Sequence, residues 1–215
     1  MLWSQSNFEK AEQLLESGKT DQARVVFENI VKDNPSQVKA IERLGDIAGQ
    51  NKSWDKALLY YKKAKQLQPT TAEYYFKYGG ALGMKAKSVN KFKAIGMIDE
   101  IKSSFEKAVA LDPKHKESRW ALLMLYLELP GIIGGSETKA VAYSNELMRL
   151  SPLEGYLSKG YIDEYFGRIK KAELNYSKAF ELGKSKVAFQ KLYNLYAYKL
   201  KNLEKAQQLK EQFEN

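Results

Sequence analysis

The chain has 215 residues, 44% hydrophobic and 28% charged, which suffices to bury a core and keep a hydrated surface. It has no cysteine, which excludes disulfides, thiolate chemistry and cysteine-based metal sites; no apolar run reaches the roughly 18 residues of a membrane-spanning helix. The formal charge of +9 comes mostly from Lys, a flexible and strongly hydrated point charge, whereas Arg is the usual fork for phosphates and base edges, so the excess reads as solvated surface rather than a nucleic-acid site.

Taken in chain order, Met1-Leu2-Trp3-Ser4-Gln5 is apolar and then small and polar, directly before a helix. It resembles the last residues of a bacterial secretory signal, which points to an exported, periplasmic protein. The alternative is a native start, with Trp3 packing on the first helix pair. From there, amphipathic helix pairs are expected at about 4–37, 38–71, 72–115, 116–154, 155–186 and 187–215, as one domain over 1–215. The register repeats. Ala23 to Ala57, Pro35 to Pro69 and Ala172 to Ala206 are each one period of about 34 residues apart, the length of a two-helix repeat. Four residues after the small position stands an aromatic: Phe27, Tyr61, Phe105 and Tyr176, with Ile101 replacing the alanine before Phe105. Prolines at 35, 69, 113 and 152 cannot continue a helix and mark repeat ends.

Residues 38–71 show the pattern in full. Ile41, Leu44, Gly45 and Ala48 sit in the first helix, and Ala57, Tyr61, Ala64 and Pro69 in the second. This set resembles the tetratricopeptide-repeat (TPR) family. The resemblance implies an all-α, right-handed superhelix, an α-solenoid of about six helix pairs. Gly45 and Ala48 would let the two helices approach closely, and Tyr61 would fill the space beside the next repeat. Two repeats are too long. Repeat 3 gains about ten residues near 85–98, and repeat 4 gains about five in Leu129-Pro130-Gly131-Ile132-Ile133-Gly134-Gly135. The lengthened third repeat and the Pro-Gly-Ile-Ile-Gly-Gly-Ser loop resemble a bacterial subgroup of TPR proteins. Both insertions should fall between the helices of their repeats, where Ile95, Met97 and Ile98 could meet Ile132 and Ile133.

Little here suggests chemistry. His115 is the only histidine, follows Asp-Pro-Lys at a turn, and is expected to be exposed. One histidine and no cysteine leave a metal site or a Ser-His-Asp triad underdetermined. The Gly-rich loop before Ser136 lacks the phosphate-binding glycine–lysine pattern and a preceding strand; Ser136 reads as a helix N-cap. Most Glu residues alternate with Lys and read as solvent faces. No enzyme activity and no cofactor or metal are expected.

In TPR arrays the first helix of each pair lines the concave face. The matching positions here give Phe8, Phe76, Met84, Trp120, Met124, Leu157, Tyr161, Tyr165 and Tyr198, with Glu12, Glu42, Asp46 and Glu73 toward the N-terminal side. Aromatics and Met are enriched at binding hot spots. The resemblance therefore implies a scaffold that binds a protein or peptide in this groove. The alternative placement buries these side chains against one another. Chaperone-tail-binding TPR domains use a clamp of Lys, Asn, Asn, Lys and Arg; the matching positions are Phe8, Glu12, Arg43, Glu73 and Lys77, so the clamp is not met. A second candidate surface is Ile132 and Ile133 with Lys91 and Lys93. The competing function is a self-association or assembly module of a larger envelope complex, without a peptide groove.

Overall fold

The structure, a computed structural model, describes the backbone of residues 2–214 and the side chains of residues 6–214. The packing expected of Trp3 lies outside the described side chains. Among the described residues the fold is all-α, of the α-solenoid class. It divides into two compact units, Met1–His115 and Lys116–Asn215.

Unit 1 holds three helix hairpins. The first pairs α1 (Leu2–Glu16) with α2 (Thr20–Asp33), and the second pairs α3 (Val38–Gln50) with α4 (Trp54–Leu67). The third pairs α5 (Ala72–Ser88) with α7 (Ile98–Leu111), and the short α6 (Lys91–Ile95) lies between them in sequence. Unit 2 holds α8 (Lys116–Glu128) with α9 (Glu137–Leu150), α10 (Pro152–Tyr165) with α11 (Ile169–Gly183), and α12 (Lys186–Asn194) with α13 (Leu203–Glu214). Between α12 and α13 the backbone winds as a π-helix over Leu195–Lys199, which the sequence pattern did not signal. Pro152 opens α10 instead of closing α9: Ser151 caps the helix and the proline takes its first position, where its missing N–H costs nothing.

The helices of a pair lock through a repeated complementarity. A Cβ on Gly45 would come within 2.5 Å of the Tyr61 ring, and one on Gly79 within 2.9 Å of Phe105. A Cβ on Gly160 would overlap Tyr176. In these three hairpins the aromatic of the second helix thus occupies the space a side chain on the first would need. Tyr61 therefore fills its own hairpin, not the space beside the next repeat as expected. Ala11, Ala23 and Phe27 are fully buried in the first hairpin. Ala172, Tyr176 and Ala179 play the same part in unit 2.

The turn inside a repeat also has a fixed position. Gly18 and Gly167 are left-handed, with φ of 74° and 70°. Lys52 and Lys201, one repeat further on in each unit, are left-handed too, at 55° and 52°. A side chain with a Cβ is strained there, and glycine is not. Lys52→Gly is accordingly expected to raise the unfolding free energy by about 1 kcal/mol, read as a shifted midpoint in urea. A loss of stability would contradict this account of the turn.

The two long repeats replace this turn. In repeat 3 the first helix itself lengthens to Ser88 before α6 intervenes. In repeat 4 a 3₁₀ turn over Gly131–Ile133 is closed by Gly135 N–H donating to the Pro130 carbonyl. Gly135 has no room for a Cβ beside the Leu129 carbonyl, and Ser136 caps α9 by accepting from the Lys139 N–H at 3.3 Å. Both insertions lie between the helices of their hairpins. Ile132 is 95% exposed and Ile95 48%, while Met97, Ile98 and Ile133 are half-buried.

Candidate binding cleft

The first-helix positions named from the sequence behave differently in the two units. In unit 1 they are dominated by ion pairs between successive hairpins. The Arg43 guanidinium donates to both Glu12 carboxylate oxygens, at 2.7 and 3.0 Å. Lys77 donates to Glu42 at 2.7 Å and to Asp46 at 2.8 Å, and Tyr61 donates its hydroxyl to Asp46 at 2.8 Å. Lys39 donates to the other oxygen of Glu42 at 3.0 Å. Burial alone would raise the Glu42 pKa, but hydrogen bonds from Lys77 and Lys39 outweigh it and hold the carboxyl below its usual range. For Lys77 burial works against the charge, yet Asp46 and Glu42 win and raise its pKa. Most of the acidic charge of this face is thus balanced from within. Its basic residues, Arg43 and Lys77, are committed to carboxylates of the same chain, and Glu42 is buried instead of lying on a solvent face.

His115 departs most from expectation. It is buried, with 7% of its surface exposed. Its Nε2 lies 3.3 Å from Glu73 and its ring centroid 5.2 Å from that of Phe76. The turn after α7 folds the ring onto α5, a placement that no local signal encodes.

Unit 2 places an apolar cleft where unit 1 has charges. A cavity of about 400 Å³ is lined by Trp120, Met124, Leu153, Glu154, Leu157, Tyr161, Ser185, Val187 and Lys191. Four of these, Trp120, Met124, Leu157 and Tyr161, are groove residues named from the sequence. They come from α8 and α10, the first helices of successive hairpins, and α12 supplies Val187 and Lys191. The walls are held in place. The Trp120 indole N–H donates to Glu154 at 2.7 Å, and its ring meets Tyr161 edge-on at 6.2 Å. Lys191 Nζ stands 4.8 Å from the Tyr161 ring centroid, within cation–π range. Leu157 is buried and forms the floor, while Met124 and Val187 are exposed at the mouth. The arrangement offers an apolar slot with one carboxylate and one ammonium beside it.

The remaining sequence-named residues lie elsewhere. Phe8 packs edge-on against Phe27 at 5.5 Å, beside the core of unit 1. Phe76 is half-buried against Phe105 and His115. Met84 is exposed on α5. Tyr165 is half exposed and packs on Phe166, and Tyr198 lies exposed on the π-helix. Lys91 and Lys93 are exposed on α6, and Ile133 is half-buried beside exposed Ile132. Leu153, Glu154, Ser185 and Val187 were not named from the sequence. Leu153 was missed because the fifth repeat was started at 155, whereas Pro152 begins its helix.

Residues 3–72 match a family model described as tetratricopeptide repeat. Protein O-mannosyl-transferase TMTC1 of Mus musculus is 27% identical over 148 residues, 66% of this chain but only 14% of that protein. Among solved structures, TTC0263, a thermophilic TPR protein of Thermus thermophilus, aligns with a TM-score of 0.72 at 19% identity, over 90% of this chain and 99% of that one. YrrB, a TPR protein with an unusual peptide-binding site, aligns with a TM-score of 0.55 at 14% identity, over 86% and 89% of the two chains. The chain therefore has the fold of tetratricopeptide-repeat proteins, and its first two repeats carry the family's sequence match as well.

Proposed function

We propose that this chain is a non-catalytic scaffold whose unit 2 binds a peptide or protein segment in the Trp120–Tyr161 cleft. One observation carries the reading: Trp120, Met124 and Tyr161 converge around an apolar slot, with the Trp120 indole held by Glu154 and Lys191 set against the Tyr161 ring. Preorganised aromatic anchors spare a binding partner much of the ordering cost. The YrrB structure, described as having a peptide-binding site, supports the same use of the fold in a distant relative. Glu154 and Lys191 favour a segment that presents an apolar side chain to the slot and polar backbone to its rim.

The test is selection of peptides from a displayed library against the full chain. Val187 is 59% exposed at the mouth, so Val187→Glu obstructs and charges the slot without touching the core. It is expected to weaken the selected peptides at least tenfold, about 1.4 kcal/mol, with the helical circular dichroism unchanged. Trp120→Ala is expected to cost about 2 kcal/mol or more in binding. It also loses packing on the unit 2 core, so Val187→Glu is the cleaner variant. Peptides that bind both variants as tightly as the wild type would reject the cleft.

A further inference from the structure

The lengthened third repeat presents a surface that the cleft does not use. Residues 84–98 read Met-Lys-Ala-Lys-Ser-Val-Asn-Lys-Phe-Lys-Ala-Ile-Gly-Met-Ile, with four lysines and no acid. Asn90 caps α6 by accepting from the Lys93 N–H at 3.0 Å, so the tip is a defined helical turn. On that turn Phe92 and Ile95 are three residues apart and share a face. Phe92 is 89% exposed, the most exposed aromatic side chain among the described residues, and Ile95 is exposed beside it. Lys91 and Lys93 flank the phenyl ring and are exposed as well. Lys85 is paired with Asp55 and belongs to the root of the insertion.

A single exposed apolar side chain is ordinary, but Phe92 and Ile95 form one apolar point with Lys91 and Lys93 beside it, a combination that suits an interaction surface. We propose that this tip docks on an anionic bilayer surface, with Phe92 and Ile95 entering the interface and Lys91 and Lys93 at the headgroup level. The charge pattern favours an anionic partner: Lys91 and Lys93 are the charges of the tip itself, while the acids that follow, Asp99 and Glu100, lie on the first turn of α7, where Glu100 accepts from Tyr78. The apolar pattern selects a bilayer over nucleic acid: a base-stacking platform uses several aromatics along a groove, whereas here a single phenyl stands with aliphatic Ile95 on a convex tip. A short basic turn with an apolar point has the composition of interfacial anchors, where buried apolar area and attraction to anionic lipid add together. The association should be weak and reversible.

The experiment is co-sedimentation of the full chain with vesicles of phosphatidylcholine alone and with added phosphatidylglycerol. Binding is expected only with the anionic lipid, and it should fall as salt rises. Phe92→Ser should lower partitioning about tenfold, and Lys91→Glu/Lys93→Glu at least about twenty-five-fold. All three side chains are exposed, so circular dichroism should not change. Absence of binding to anionic vesicles, or binding that ignores both variants, overturns the proposal. So does a single-stranded oligonucleotide that binds more tightly than the vesicles and loses affinity on Phe92→Ser. The Val187→Glu protein should still bind vesicles, which keeps this result independent of the cleft.

Discussion

Replacing Tyr176 by alanine is expected to lower the unfolding free energy by about 3–5 kcal/mol, the range for removing a buried aromatic side chain. Tyr176 is fully buried and occupies the space above Gly160, where α10 and α11 approach. Its hydroxyl donates to Glu164 at 2.8 Å, and burial followed by that hydrogen bond raises its pKa well above the ordinary phenol value. Alanine would leave a cavity between the helices that neither backbone can close, and would strip Glu164 of its donor. Because each repeat contacts only its neighbours, the loss should fall on the unfolding of unit 2. Tyr176→Phe keeps the ring and should cost only about 1 kcal/mol. Urea denaturation followed by circular dichroism reads both. A loss below about 1 kcal/mol for the alanine variant would contradict the aromatic-on-glycine lock, since a peripheral ring costs that little.

The second large effect is expected in unit 1. Lys77→Met should cost about 3 kcal/mol, because it leaves Glu42 and Asp46 without their shared ammonium in a largely dry site. Glu42 keeps Lys39, and Asp46 keeps Tyr61 and the more distant Arg43. Glu42→Gln in the same background should recover much of the loss, since the stranded charge disappears with it; additive effects would contradict the coupling. The pH dependence has a definite sign. The folded pKa of Glu42 is depressed, so its contribution is present above the unfolded carboxyl value of about 4.3 and is lost as pH falls through the lower folded value. The folded pKa of Lys77 is raised, so its contribution is complete below the unfolded value of about 10.4 and is lost as pH rises through the higher folded value. Stability should therefore drop in acid more steeply for the wild type than for Lys77→Met. Equal slopes would show that the network contributes nothing.

The fold was legible because its determinants are local and periodic. Glycine or alanine facing an aromatic of the partner helix, spaced at the repeat length, located the hairpins and their order. Both insertions were legible as excess length between fixed positions. The π-helix at Leu195–Lys199 was not, because it changes the winding without breaking the apolar pattern that hides Leu195 and Tyr196. The unit 1 ion network was missed: its acids were placed on the concave face, but their pairing with Arg43 and Lys77 across repeats was not read. The missed signal was spacing across repeats. Glu12 and Arg43, like Asp46 and Lys77, are 31 apart, and Glu42 and Lys77 are 35 apart. Opposite charges separated by nearly one repeat sit on adjacent first helices. His115 had no such signal, since its partners Glu73 and Phe76 are reached only through the turn that ends the hairpin. The cleft was half legible. Its first-helix residues followed from the repeat register, while Val187 and Ser185 depended on where α12 begins.

The most direct test of the cleft is the indole N–H signal of Trp120 in a nitrogen-15 spectrum during titration with a library-selected peptide. The chain has three tryptophans, and among the described side chains only the Trp120 indole lines the cleft, bonded to Glu154. The account predicts that this resonance shifts in a saturable way, that the other two indole resonances stay in place, and that Val187→Glu abolishes the shift. A peptide that binds with Trp120 unmoved, or that shifts another indole instead, would contradict it.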